Sequence, residues 1–104
     1  MLSVQFLVHE THFEGNEFVV GGIVSLGTVI QGMTFTLLRS EGLEMQEVRF
    51  LVRKILAYRH EFEELPKGIS GALFLVGEGV ENIKKHDKLE FDGNYSIFDI
   101  MKFK

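Results

Sequence analysis

The sequence predicts an all-β protein, a small β-barrel or sandwich with a C-terminal strand extension. The first observation is an uncharged stretch, Phe18 to Leu38, that is rich in Val, Ile and Thr, the residues that suit a pleated strand. The second is a series of short apolar runs separated by Gly, Pro, Asn and Asp every 8 to 12 residues. Short strands at that spacing are typical of a barrel or a sandwich.

The uncharged stretch is also long enough to cross a bilayer as a helix. Its glycines, Gly22, Gly27 and Gly32, recur every five residues and do not line one helix face, as a membrane packing seam requires. We therefore interpret the stretch as two strands joined by a glycine turn and expect no membrane association.

The N-terminal half predicts three strands in order. Residues 3–13 alternate well enough for a first strand, and Glu14-Gly15-Asn16 is a turn. Residues 17–26 form the second strand and residues 34–39 the third. Gly21-Gly22 lies inside the second strand, where glycine indicates a sharp bend or the close approach of another backbone, such as a barrel corner.

Residues 47–58 fit two structures. Val48, Leu51, Val52 and Ile55 lie at helical spacing, whereas the alternation around Phe50 also suits a strand. Because the surrounding chain is β-like, we favour a long strand and keep the helix as the alternative.

The C-terminal half predicts shorter elements. Pro66-Lys67-Gly68 is a turn, and Asp92-Gly93-Asn94 is the strongest hairpin signal in the chain. The remaining predicted elements are a strand at 69–76, a helical turn at 80–83, a strand at 88–91 and a last strand at 95–103.

Composition limits the possible functions. The chain has 104 residues, which predicts one domain over 1–104, and it has no Cys, which excludes disulfides, thiolate metal sites and cysteine nucleophiles. The formal net charge of −4 argues against a protein that binds a polyanion such as a nucleic acid over its whole surface. The N-terminus lacks the basic start and long apolar run of a signal peptide, so we expect a cytoplasmic protein.

Three segments resemble domain 2 of translational GTPases of the elongation factor Tu type. Residues 19–33, V-V-G-G-I-V-S-L-G-T-V-I-Q-G-M, are similar to that family's T-V-V-T-G-x-V-x-x-G-x-I-x-x-G-D strand pair. Residues 55–68 are similar to its V-E-M-F…A-G segment, and residues 72–89 to its closing strands. The resemblance covers about residues 4–91 and implies a small closed Greek-key β-barrel of six or seven strands, of the translation-factor domain 2 type, with residues 92–104 as an extra hairpin or strand.

The departures from the family pattern bear on function. Where the family's tRNA-carrying members have a glutamate in the pocket for the aminoacyl end, this chain has Leu56. His86 stands at the family's turn glycine. The G-x-x-x-x-G-K-[ST] phosphate loop does not occur, so the resemblance implies no nucleotide binding and no GTPase activity in this chain.

Two groups of residues are candidate binding residues. Tyr58 and Arg59 match an aromatic–basic pair of the family and are suited to stack on or clamp a ligand, and Lys84 and Lys85 form a small basic cluster. The complete candidate set is Val19, Val20, Tyr58, Arg59, His60, Lys84 and Lys85.

Metal binding and catalysis find little support. His9 and His12 lie three residues apart on a predicted strand and face opposite sides, so we expect no metal site and no cofactor. No nucleophile, base and stabiliser can be combined into one site, so we predict a protein that is not an enzyme.

The C-terminal residues are apolar on both faces of the predicted strand. A strand buried on both faces needs more cover than one barrel gives, so it either packs over a barrel end or pairs with another chain. The candidate interface residues are Ile97, Phe98, Ile100, Met101 and Phe103. The sequence thus predicts a binding or assembly module that forms a homodimer or binds a protein partner; binding of RNA or the ribosome is the alternative.

Overall fold

The computed structural model describes residues 2–42 and 44–92, and these residues form nine strands and one short 3-10 helix at Val80–Asn82. The C-terminal strand extension and the candidate interface residues predicted at 92–104 lie outside the described residues, except for Asp92. The strands are β1 Leu2–Glu14, β2 Glu17–Leu26, β3 Thr28–Ile30, β4 Thr34–Arg39, β5 Met45–Ala57, β6 His60–Phe62, β7 Glu64–Pro66, β8 Ser70–Val76 and β9 Lys88–Asp92.

The predicted strands at 17–26 and 34–39 have the same bounds in the structure. Residues 47–57 of the ambiguous segment at 47–58 lie in strand β5, which confirms the strand and not the helix, and Tyr58 begins the turn that follows. In β5 the buried Phe50 and Val52 alternate with the exposed Leu51 and Arg53, which is the period of a strand with one face on the core.

Six strands form a closed ring through antiparallel pairs: β1–β2, β2–β8, β8–β5, β5–β4, β4–β9 and β9–β1. Within this ring the spatial order β9-β4-β5-β8 is that of a Greek key. The all-β, barrel-like fold predicted from the sequence is confirmed. Strand β6 extends the sheet beyond β5, and β3 pairs with β7 in a separate two-stranded sheet.

Apolar side chains on the inner face of the ring form the core, and their removal from water is the main driving force for folding. Val29 and Leu65, which pair across β3 and β7, join the same core. The largest members with 0% exposure are Phe6, Phe35, Phe50, Ile55, Leu73 and Leu89.

The described residues contain no helix that is long and apolar enough to cross a membrane. The uncharged stretch that raised this possibility forms β2, β3 and β4.

A buried carboxylate on β9 depends on one cation. Glu90 is 1% exposed, and its Oε2 accepts hydrogen bonds from Arg39 Nε at 3.1 Å and Gln5 Nε2 at 2.7 Å. We expect Arg39→Met to lower the free energy of unfolding by about 2 kcal/mol, since it leaves a buried charge without its cation while Arg39 itself is partly solvated. Urea denaturation measures this change.

The matched control is Arg53→Met. Arg53 pairs with Glu17 at the surface, where an ion pair contributes less than about 1 kcal/mol. Equal losses in the two variants would contradict the role assigned to Arg39.

Candidate functional site

A groove crosses the outer face of four neighbouring strands, β1, β2, β8 and β5. It has a volume of about 500 Å³. The register places Glu10 opposite Gly21, Gly21 opposite Ala72, and Ala72 opposite Leu56. The two smallest side chains of this row lie in its middle, so the floor of the groove is mostly backbone, and Glu10 and Leu56 flank it.

The hairpin turn between β5 and β6 forms one border of the groove. Ala57 pairs with His60, and the two residues between them, Tyr58 and Arg59, have φ of 51° and 66°. Positive φ at both central residues is the geometry of a type I′ turn, which strongly prefers Asn-Gly. Tyr and Arg are strained there, and such strain often occurs at binding and catalytic sites. Tyr58 is 73% exposed, so its ring is available to a ligand.

A second strained turn lies beside β1, at the far side of the four strands. His86 has a φ of 77°, and its backbone N–H donates to the carbonyl of Val8, directly before the groove residue His9. Asp87 is 5% exposed, and its Oδ2 accepts a hydrogen bond from the N–H of Lys84 at 2.9 Å. This bond closes the turn and fixes the backbone that presents Lys84 and Lys85 to solvent.

Together the two turns delimit one strip of surface, which we call the cross-strand strip. It consists of the Lys84–His86 turn, His9 and Glu10, the groove floor, and the Tyr58–Arg59 turn. The four strands between the turns span about 14 Å at ordinary strand spacing. In the sheet, β2 and β8 lie between the strand that carries the aromatic–basic pair and the strand beside the basic cluster, and Tyr58 and Arg59, but not Lys84 and Lys85, line the groove itself.

The other candidate residues have different positions. His60 begins β6 and is exposed next to the Tyr58–Arg59 turn. Val19 and Val20 are 1% and 0% exposed. Neither valine side chain is accessible to a ligand in solvent, so neither belongs to the cross-strand strip.

Sequence analysis did not propose His9, Glu10 or Gly71 as groove residues. An extra residue, His9, interrupts the β1–β2 register between Val8 and Glu10 and lies at the groove. The mid-strand Gly21-Gly22 pair was the available signal, because it indicated close backbone approach. A Cβ on Gly22 would lie 1.9 Å from the carbonyl oxygen of Leu7, and one on Gly71 would lie 3.0 Å from that of Leu56.

The chemistry available in the strip is that of binding. The phenol ring of Tyr58 and the guanidinium of Arg59 are planar groups suited to stacking, and the floor beside them is half-buried backbone. The carboxylate of Glu10 lies over Gly21, with Cγ 3.0 Å from the position of a Cβ there. Among the described residues, no three His, Asp or Glu side chains converge in a group that could hold a metal ion.

Solved structures of two translation factors share this architecture. Translation elongation factor SelB from Methanococcus maripaludis, in its apo form, superposes with a TM-score of 0.70 at 17% identity over 86% of this chain. A bacterial selenocysteine-specific elongation factor, EF-Sec, gives 0.66 at 19% identity, also over 86% of this chain. The chain has the fold of an elongation factor Tu domain 2-type barrel. The resemblance stated from the sequence is thereby confirmed for the fold.

This likeness is one of architecture, since both identities are below 20%. The matched region makes up 18% of the SelB chain and 14% of the EF-Sec chain. No protein-family model and no curated protein sequence matches the chain. The activities of those much longer factors are therefore not transferred with the fold.

Placing Asn-Gly, the pair that a type I′ turn prefers, at positions 58 and 59 tests whether the native turn is strained. We expect Tyr58→Asn combined with Arg59→Gly to raise the free energy of unfolding by about 1–2 kcal/mol, because the new pair adopts positive φ without strain. Thermal and urea denaturation measure the gain. An unchanged or reduced stability would show that the native turn is not strained.

Proposed function

We propose that this chain is a single-domain, non-enzymatic binding module of the cytoplasm that binds single-stranded RNA on the cross-strand strip. The observation that carries the proposal is the position of the three described non-glycine residues with left-handed backbone. Tyr58 and Arg59 border the groove, and His86 is hydrogen-bonded beside it. A ligand that contacts these side chains would explain why strained backbone is kept at both ends of this surface.

The side chains of the strip match the groups of an unpaired nucleotide. Single-stranded RNA is commonly bound by stacking its bases on aromatic rings and guanidinium planes and by placing its phosphates near Lys and Arg. Here Tyr58 and Arg59 provide the planar groups at one end, and Lys84 and Lys85 provide the charges at the other. Between them lies the groove, where a base or a sugar would have to displace the Glu10 side chain that covers Gly21.

The net charge restricts the ligand to a short segment. At −4 the surface as a whole repels a long polyanion, so attraction is confined to the local cations of the strip. The two similar solved structures are translation elongation factors, which supports a role related to translation, as an RNA- or ribosome-binding accessory.

Binding of a short labelled RNA, measured by fluorescence anisotropy over a series of salt concentrations, tests the proposal. We expect a single strand to bind more tightly than a duplex of the same sequence, and the affinity to fall steeply with salt. Tyr58→Ala is expected to weaken binding about tenfold, which corresponds to the loss of one stacked base. Lys84→Ala with Lys85→Ala is expected to reduce the log–log salt slope by about 2.

Lys67→Ala is the matched control, because it removes one exposed lysine from the turn before β8 and outside the strip. It is expected to leave stacking and the salt slope unchanged. A lack of binding, or an affinity independent of salt, would overturn the RNA proposal.

A second candidate function is assembly through the C-terminal residues, as a homodimer or with a protein partner. The supporting observation is the sequence pattern of apolar residues on both faces, at Ile97, Phe98, Ile100, Met101 and Phe103. Light scattering at tens of micromolar tests self-association. The assembly proposal would be overturned if the protein were strictly monomeric and if substitution of these residues left the binding of protein partners unchanged.

A further inference from the structure

A second row of paired residues lies beside the groove, on the same face of the sheet. Lys54 pairs with Phe74, and Phe74 pairs with Val19. The next pair of the same two strands that faces this side is Leu56 with Ala72, and both line the groove. Because alternate residues of a strand face the same side, the row of Lys54 borders the groove at a distance of about 7 Å along β5.

The side chain of Lys54 is held over an aromatic ring. Its Nζ lies 4.4 Å from the centroid of the Phe74 ring, which is itself 4% exposed. Packing fixes the ring, and the attraction between a cation and the face of the ring orients the ammonium group. A lysine that is already oriented loses less side-chain entropy when it binds a ligand than one that extends freely into solvent.

The charge of Lys54 is not neutralised by a carboxylate among the described residues. The neighbouring Arg53 forms an ion pair with Glu17, whereas Lys54 forms none. Within the described part of the chain, the only carboxylate that lines the groove is that of Glu10 on β1. Strands β1 and β5 are three strand spacings apart, which is about 14 Å. The ammonium of Lys54 is therefore available to an anion.

The two ends of the groove differ in charge. At the β5 end, Lys54 precedes Leu56 by two residues, and the turn that carries Arg59 follows it. At the β1 end lies the carboxylate of Glu10. Since charges are screened over about 8 Å at physiological salt, each end acts on the part of a ligand next to it. An anionic group of a ligand is thus favoured at the β5 end and disfavoured at the β1 end.

We propose that Lys54 binds a phosphate of the RNA at the β5 end of the groove, beside Arg59. This inference rests on the proposed function and deepens it, because it names the residue that orients the bound strand. The phosphate belongs to the nucleotide next to a base stacked on Tyr58. An uncharged part of that nucleotide, and not a phosphate, then faces Glu10.

Fluorescence anisotropy with a short labelled oligoadenylate, measured on the full chain over a series of salt concentrations, tests the inference. We expect Lys54→Gln to weaken binding at low salt and to reduce the log–log salt slope by about 1, because one phosphate contact is lost. Lys54→Arg keeps a cation that can lie over the ring of Phe74, so we expect it to retain the slope. A lysine that acted only through the packing of its aliphatic stem would not change the slope.

Lys67→Gln is the matched control, because it removes the same charge from an exposed turn outside the groove. It is expected to leave the salt slope unchanged. The inference would be overturned if Lys54→Gln left the slope unchanged, if Lys67→Gln reduced it equally, or if Lys54→Arg lost as much as Lys54→Gln. In each of these cases Tyr58→Ala still tests the proposed function by itself. If the native chain did not bind oligoadenylate at any salt concentration, the proposed function and this inference would both be overturned.

Discussion

Gly22→Ala is expected to lower the melting temperature by about 12–24 °C. The added Cβ would lie 1.9 Å from the carbonyl oxygen of Leu7 and 2.9 Å from the ring of Phe6, so the backbones of β1 and β2 must separate. Overpacking of this kind costs about 3 kcal/mol, and each kcal/mol corresponds to about 4–8 °C in a domain of this size. Differential scanning calorimetry measures the change.

Two glycine variants serve as controls for Gly22→Ala. A Cβ on Gly42 meets no atom within 4 Å, so Gly42→Ala is expected to change the stability by less than about 0.5 kcal/mol. A Cβ on Gly21 meets only the flexible side chain of Glu10, at 3.0 Å, so Gly21→Ala is expected to be intermediate. If Gly22→Ala melted at the same temperature as Gly42→Ala, the close approach of β1 and β2 would be refuted.

Phe50→Ala is expected to lower the free energy of unfolding by about 3–5 kcal/mol. Phe50 is 0% exposed, lies opposite Phe35 across the β4–β5 pair, and contributes to the centre of the core. Its removal loses the transfer free energy of the ring and leaves a cavity that the closed ring of strands cannot fill. Domains of this size have a total stability of about 5–15 kcal/mol, so this loss is a large part of the total. Urea titration measures the free energy of unfolding that is left.

The matched control for Phe50→Ala is Phe13→Ala. Phe13 is 61% exposed, and its ring packs edge-on against Phe18, with the ring centroids 5.0 Å apart. Its removal loses little more than that contact, about 1 kcal/mol. A similar loss in the two variants would contradict the assignment of Phe50 to the core.

The strands were predictable because their side chains determine them locally. The Val, Ile and Thr residues of β2 and β4 favour extended backbone, and Gly15 and Gly27, at positive φ, end strands where the sequence places a turn. Residues 47–58 were ambiguous because their apolar positions fit both periods. Pairing with β4 and β8 on its two edges decides the strand.

The candidate site was predictable only in part. Tyr58, Arg59, Lys84 and Lys85 were identified through the family resemblance and the local charge. His9 and Gly71 lie on strands more than 60 residues apart in the chain, and they line the same groove only through the order of β1, β2 and β8. Register is set by pairing along the whole sheet, and the extra residue at His9 shifts it in a way that no local pattern indicates.

The two adjacent valines of β2 show the limit of strand alternation. Phe18 and Val20 belong to the core, so Val19 points outward, where alternation predicts an accessible side chain. Val19 is nevertheless 1% exposed. It lies opposite Phe74, whose ring is covered by the ammonium of Lys54 at 4.4 Å from the ring centroid.

The sequence by itself determined that the chain is β-structured, where most strands begin and end, and that it resembles the barrel of translation factors. These properties follow from short-range preferences: branched side chains favour strands, glycines permit turns, and alternating apolar residues define an inner face. Only the tertiary structure decided which surface residues meet at the groove and that Val19 is covered. Those properties depend on pairings between distant segments, whose register and closure are fixed by packing the whole ring at once.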